Sequence, residues 1–172
     1  MATVFSHALV GYTFSQMAPV PKTRAFVFWM TFLPVIPDFD YIGWALHVPY
    51  DSLWGHRGMT HSILFALLLS VLVTVLLIRN HRGKVLAFLF LATTSHGILD
   101  AFTNGGLGVA FFAPYTLARY FFPWTPIEVS PMGVRFFSER GLVVLLSELV
   151  WIALPCIAML AGLRLLNRKN LN

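Results

Sequence analysis

Apolar runs separated by short polar hinges set the pattern of this chain. Five stand out, at about 3–18, 24–37, 61–78, 85–102 and 142–163. A helix needs about 20 apolar residues to cross a bilayer. The third run, "HSILFALLLSVLVTVLLI", is the cleanest candidate span. The fourth, "VLAFLFLATTSHGILDAF", holds its polar residues in its second half, and the fifth reads "LVVLLSELVWIALPCIAMLAGL". The first two runs are short, and the second, "RAFVFWMTFLPVIP", is interrupted by Pro34 and Pro37. Proline is expected to end its helix. Both short runs are therefore expected to be tilted, partly embedded or re-entrant. Residues 103–141, rich in Gly, Pro and aromatics, read as an ordered interfacial loop with Trp124 at headgroup depth. The expected fold is an all-α integral membrane protein of about five helical segments, forming a single domain over 1–172.

Composition supports the membrane reading. Hydrophobic residues make up 58% of the chain and charged residues 11%, against about 25% charged in a soluble domain. Mean hydropathy is +0.74. The length suits one domain. The single cysteine, Cys156, excludes an intrachain disulfide and a CxxC metal motif, and reads as a small buried hydrophobe. The N-terminal stretch is not read as a signal peptide, because Lys22 and Arg24 follow its apolar run rather than precede it. A net charge of +5 would suggest nucleic acid for a soluble protein. Here the bases fall where membrane topology puts them, so the expected partner is membrane lipid, with no nucleic acid and no protein partner.

Charge also sorts by side. If every run crosses, Lys22, Arg24, Arg79, Arg82, Lys84, Arg164, Arg168 and Lys169 share one face, and Arg57, Arg119, Arg135 and Arg140 the other. The positive-inside rule then predicts an N-out, C-in chain. The same assignment puts all seven acids on the outer side, together with His7, His47, His56, His61 and His96.

Four outer clusters carry candidate chemistry: His7, "PDFD" with Asp38 and Asp40, "HRGMTH" with His56 and His61, and "SHGILD" with His96 and Asp100. The last two residues are four apart and so share a helix face. Each cluster has a structural reading. His7 could be a hydrogen-bonded core histidine, "PDFD" a turn cap, and "HRGMTH" an interfacial loop with Arg57 snorkelling to headgroups. His96 and Asp100 are costly near hydrocarbon and are functional candidates by default. Together the seven residues fit a divalent transition metal, Zn²⁺ first, with Mn²⁺ or Fe²⁺ as alternatives. They exceed one tetrahedral shell. Either two ions are held, or one ion with further carboxylates orienting the histidines. Gly58 would allow the bend that brings His56 and His61 together. A metal lowers the pKa of its water, Asp40 could take the proton, and Arg57 suits a phosphate. Glu148 could face this site or pair with Arg140, Glu128 reads as solvated, and Gly105, Gly106 and Gly108 as a turn.

The ordered set "SHALVGY", "LPVIPDFDY", "GHRGMTHSILFA", "SHGILDAFTNGGLG" and "RYFFPWTPIEVSP" resembles the YdjM/YbcI-like family of bacterial inner-membrane, metal-dependent hydrolases, and "SELVW" resembles its YbcI branch. The resemblance covers most of the chain. It implies an inner-membrane location and a hydrolase activity, and it carries the metal motif onto His7, Asp38, Asp40, His56, His61, His96 and Asp100. The expected activity is hydrolysis of a membrane-associated substrate such as a lipid phosphoester. The alternative is a non-catalytic metal-binding or ion- and proton-conducting protein. Against conduction, the cytoplasmic halves of runs three and four contain no acid or histidine.

Overall fold

The computed structural model describes residues 1–131 and 133–169. Its regular structure is helical: α1 (Val4–Met17), α2 (Arg24–Phe32), a short α3 (Ile42–Ala45), α4 (Ile63–Leu77), α5 (Arg82–Ala101), α6 (Glu139–Glu148) and α7 (Leu154–Lys169). Among the described residues there is no β-strand, only two isolated bridges, Thr103 with Ile127 and Val109 with Tyr120. Those bridges order the loop between α5 and α6. Among the described residues, three helical stretches are long and apolar enough to cross a membrane: Arg24–Ala45, Arg82–Ala101 and Glu139–Arg168.

The helices are patterned inside out. The buried positions of α1 are Ser6, His7, Gly11, Thr13 and Ser15, while Val4, Phe5, Tyr12 and Met17 are exposed. On α4, Ala66, Ser70, Val73 and Thr74 are buried, and Leu67, Leu68, Leu72 and Leu76 face outward. Lipid tails are as apolar as leucine, so helices in a bilayer associate through small residues and hydroxyls rather than by hiding Leu. Most of the buried hydroxyls close back on their own helix: Thr13 on Leu9, Ser70 on Ala66 and Thr93 on Leu89. A core of Phe26, Met30, Leu33, Val73, Val85 and Leu89 fills one half of the bundle. The polar residues collect in the other half.

The second run departs from expectation. Pro34 and Pro37 do not end the helix. From Leu33 to Tyr41 the chain tightens into a 3₁₀ stretch that leads into α3, giving 22 continuous helical residues. Proline lacks an N–H, so two carbonyls lose their helical partners. The i+4 position of Met30 is Pro34, and the 3₁₀ partner of Pro34 would be Pro37. Both carbonyls are used elsewhere in the bundle. The carbonyl of Met30 faces Gly11 of α1, where a Cβ would come within 2.1 Å of its oxygen. The carbonyl of Pro34 accepts from His96 Nδ1 at 2.6 Å.

The fifth run extends beyond its expected limits. Between α6 and α7 lies one π segment, Leu149–Ala153. Pro155 again explains the irregularity, because it removes the donor for the Trp151 carbonyl. Glu148, immediately before the π segment, is buried. It neither faces the His/Asp cluster nor pairs with Arg140. Its carboxylate accepts from the backbone N–H and hydroxyl of Thr3, and from Ser6 Oγ at 2.8 Å. The first N–H groups of a helix have no intrahelical partner, and the N-terminal dipole favours a negative charge. Glu148 therefore caps α1 from a distant helix. Arg140 pairs with Glu128 at 2.6 Å instead. Hydrogen bonds from Asn104 and Arg140 hold the Glu128 carboxyl below its ordinary range.

Candidate metal centre

Four segments converge on one buried point. α1 brings His7. The 3₁₀ stretch brings Asp38 and Asp40. The turn before α4 brings His56, Arg57 and His61, and the end of α5 brings His96 and Asp100. His7, His96, Arg57 and Asp100 are all 0% exposed. The donor atoms of Asp38, His56, His61 and Asp100 lie within 4.8 Å of one another. Those of His7, His96 and Asp100 form a second such group, so Asp100 is common to both.

The tautomers of His56, His61 and His96 follow from their partners. A carbonyl only accepts, so His96 Nδ1 carries the proton given to Pro34. Asp40 Oδ1 lies 2.7 Å from His56 Nδ1 and accepts its proton. Thr60 Oγ1 donates to Asp40 Oδ2 at 2.6 Å and lies 3.1 Å from His61 Nδ1, from which it accepts. In a neutral ring each of these three would then keep its lone pair on Nε2. His61 Nε2 and His96 Nε2 face each other at 2.9 Å.

Several other atoms there have no partner at all. Both nitrogens of His7 and both carboxylate oxygens of Asp38 are buried without a hydrogen bond. Unpaired buried polar groups are rare and each requires an explanation. Charge points the same way. The carboxylates of Asp38, Asp40 and Asp100 outnumber the basic groups beside them, which are the Arg57 guanidinium and the buried N-terminal amine, so with neutral imidazoles the cluster keeps a negative excess. A tetrahedral Zn²⁺ with bonds of 2.0–2.2 Å keeps its ligand atoms about 3.4 Å apart. The observed separations are 3.5 Å for His96 Nε2 to Asp38 Oδ1, 3.7 Å for His61 Nε2 to the same oxygen, 3.6 Å for His61 Nε2 to Asp100 Oδ2, and 3.5 Å for His7 Nε2 to Asp100 Oδ1. The donor set fits a divalent cation in number, spacing and charge.

The whole of this donor set falls inside a family match. Residues 1–171 match the family described as YdjM inner membrane protein. The chain is also 35% identical over 163 residues to Inner membrane protein YbcI of Escherichia coli (strain K12), covering 90% of this chain and 92% of that one. This chain belongs to the YdjM inner membrane protein family. No solved structure matches it.

Within this YdjM-family chain, three of the expected residues sit differently from their sequence reading. Asp40 is not among the clustered donor atoms. Its Oδ2 accepts from the Thr60 hydroxyl and, at 3.2 Å, from the Arg57 N–H. It stands behind His56 and His61 and orients them. Arg57 does not extend outward from the protein and is not open to a phosphate, because its side chain is fully buried. Its Nε donates to Asp100 Oδ2 at 3.0 Å, Nη1 to the Gly105 carbonyl at 2.8 Å and Nη2 to Thr103 Oγ1 at 2.9 Å. The glycine turn at 105–108 thus serves Arg57. The left-handed residue of the "HRGMTH" bend is Arg57, at φ 63°, rather than Gly58. Gly58 is needed for space, since a Cβ there would lie 2.3 Å from the Leu53 carbonyl oxygen.

Other contributors gave no sequence signal. Thr60 reads as a spacer between two histidines, and the Pro34 carbonyl is invisible to any side-chain motif. Arg119, far along the loop, donates to the carbonyls of His56 at 3.0 Å and Tyr50 at 2.8 Å, fastening the bend. A cavity of about 340 Å³ opens beside the cluster, with Asp40 and His56 in its wall and Tyr41, Trp44, His47 and Tyr50 around it. Burial pushes the Tyr50 phenol above its ordinary range, with the Arg57 charge working against it.

Proposed function

We propose that this chain is a membrane-embedded, metal-dependent hydrolase, a single domain whose site opens at the outer face of the inner membrane. The observation that carries the reading is the set of inward, unpartnered donors: the facing Nε2 atoms of His61 and His96, both nitrogens of His7 and both oxygens of Asp38. His7, Asp38, His56, His61, His96 and Asp100 would hold one or two ions, Zn²⁺ first and Mn²⁺ or Fe²⁺ as alternatives. When bound, such an ion acidifies water and polarises the bond under attack. The chain does the rest. Asp40 fixes the His56 and His61 tautomers, directly and through Thr60. Arg57 holds Asp100 in place. Asp38 is the carboxylate with free oxygens, so it rather than Asp40 is available to take a proton. The cavity lined by His56 and Trp44 gives a substrate access. Its aromatic rim suits a membrane-associated molecule, and a lipid phosphoester is the class we favour. The charge asymmetry supports an N-out, C-in orientation.

The conducting alternative is less well supported. A proton shared between His61 and His96 would satisfy that one pair and leave His7 and Asp38 unpartnered. The other half of the bundle is floored by Phe26, Met30, Leu33 and Leu89, which offer no titratable relay.

The test is elemental mass spectrometry of the detergent-purified protein, followed by a screen of lipid phosphates. We expect about one or two equivalents of transition metal and metal-dependent release of phosphate or headgroup. Failure to load Zn²⁺ or Mn²⁺ would sink the metal centre. Stoichiometric metal with no turnover on any lipid phosphate would sink the phosphoesterase assignment and favour metal binding alone.

Asp40→Asn addresses the orienting role. Supporting carboxylates of this kind are worth roughly 10–100-fold in metal affinity. We expect a Zn²⁺ competition assay to show a loss of that order with the fold retained. Unchanged affinity would remove Asp40 from the site.

A further inference from the structure

The opposite end of the bundle carries a feature unrelated to the His/Asp cluster. α1 and α4 have only 14 and 15 residues, so each spans about 21–23 Å at 1.5 Å per residue. The hydrocarbon core of a bilayer is about 30 Å thick. Where these two helices stop, a cavity of about 360 Å³ lies between the α1–α2 turn and the α4–α5 turn. Phe26, Leu77, Ile78 and Val85 form its apolar floor, and Arg79 and His81 stand at its rim.

Further bases flank the cavity without lining it. Lys22 Nζ lies 5.9 Å from the centre of the Phe26 ring, and Arg82 and Lys84 follow at the start of α5. Residues 1–37 and 52–99 contain no Asp or Glu, so none of the helices or turns around this cavity supplies a counter-charge. Arg82 Nε is engaged by the Ile78 carbonyl at 2.8 Å. The side chains of Arg79 and His81 make no hydrogen bond or ion pair among the described residues, and His81 turns the chain at a left-handed φ of 53°. An apolar slot beneath unpaired bases, at the end of two helices too short for the bilayer, matches one class of molecule in both of its parts.

We infer that this cavity binds an anionic phospholipid, with the headgroup phosphate on Arg79 and His81 and an acyl chain along the floor of Phe26, Leu77 and Val85. Basic pockets between transmembrane helices recognise lipid headgroups in this way. The lipid fills the gap that the short helices leave. The inference does not depend on the metal centre or on the direction in which the chain is inserted.

Native mass spectrometry of the full chain, titrated with phosphatidylglycerol and phosphatidylcholine in detergent, tests it. We expect a preference for phosphatidylglycerol that falls about fivefold with loss of the Arg79 charge in Arg79→Gln/His81→Gln. Arg164→Gln/Arg168→Gln, which removes bases outside the cavity, should keep the preference. Ala25→Trp, which fills the cavity from an exposed wall position and leaves every base in place, should lose binding. Equal loss in the Arg164/Arg168 variant would show general surface charge and overturn the site. So would full binding by Ala25→Trp, or displacement of the lipid by millimolar inorganic phosphate, which would mark the site as one for free phosphate.

Discussion

Asp100→Ala is expected to cost about 3–5 kcal/mol of stability, measured in the presence of a chelator so that no bound ion contributes. The reason is Arg57. Its side chain is buried, its guanidinium cannot be discharged, and Asp100 is the only carboxylate in contact with it among the described residues. Removing the acid leaves a buried charge with only the neutral Gly105 and Thr103 oxygens for company. Asp100 also accepts from the Ala2 N–H at 2.8 Å, so a second buried donor is orphaned at the same time. The companion variant separates this structural burden from the metal. Arg57→Met together with Asp100→Ala replaces the pair by apolar groups, which is often near neutral. We expect the double variant to recover much of the lost stability and to remain unable to bind metal. A single variant within about 0.5 kcal/mol of wild type would show that Arg57 does not depend on Asp100. Recovered metal binding in the double variant would remove Asp100 from the ligand set.

Gly11→Ala should be a severely damaging single-methyl change, at or beyond the upper end of the roughly 1–3 kcal/mol typical of overpacking. The added carbon would sit 2.1 Å from the Met30 carbonyl oxygen and 2.9 Å from the Pro34 ring. Neither neighbour is the far end of a flexible side chain. The α1 and α2 helices must separate, and His7 lies one turn before Gly11 on the same face of α1. The ring is then drawn from Asp38 and Asp100, which it now approaches to 4.0 and 3.5 Å. Stability and metal stoichiometry are expected to fall together. Gly162→Ala is the control, since nothing lies within 4 Å of the added carbon. It should be neutral or gain the few tenths of a kcal/mol, up to about 1, that alanine brings to a helix. Equal behaviour of the two variants would mean that α1 and α2 do not rely on the close approach at Gly11.

Much of this architecture is written locally. Hydropathy marks the five segments because the cost of placing charge in hydrocarbon is paid residue by residue, wherever the helices end up. The same cost confines Asp38, Asp40, Asp100 and the histidines to segment ends, which is why His7, "PDFD", "HRGMTH" and "SHGILD" can be grouped by their positions along the chain alone. His96 and Asp100 share a face because a helix repeats every 3.6 residues.

Roles within the group are another matter, because they depend on distances between segments that no local rule supplies. Pro34 and Pro37 look like a helix end when only their missing N–H groups are considered. In the bundle, the carbonyls they release meet Gly11 and His96, and the chain continues. Arg57 looks like a cation waiting for a phosphate until packing buries it against Asp100. Asp38 and Asp40 are two residues apart in the same motif. One has both oxygens free and the other is occupied by His56 and Thr60, and only the approach of the "HRGMTH" bend decides which is which. Glu148 caps a helix 145 residues away in sequence from the Thr3 group that it accepts. The sequence alone marked the segments and grouped the candidate residues, because these follow from solvation and helical period. Tertiary structure decided ligand, orienter and clamp, because a buried polar group takes its function from whichever partner the packed helices bring within about 3 Å of it.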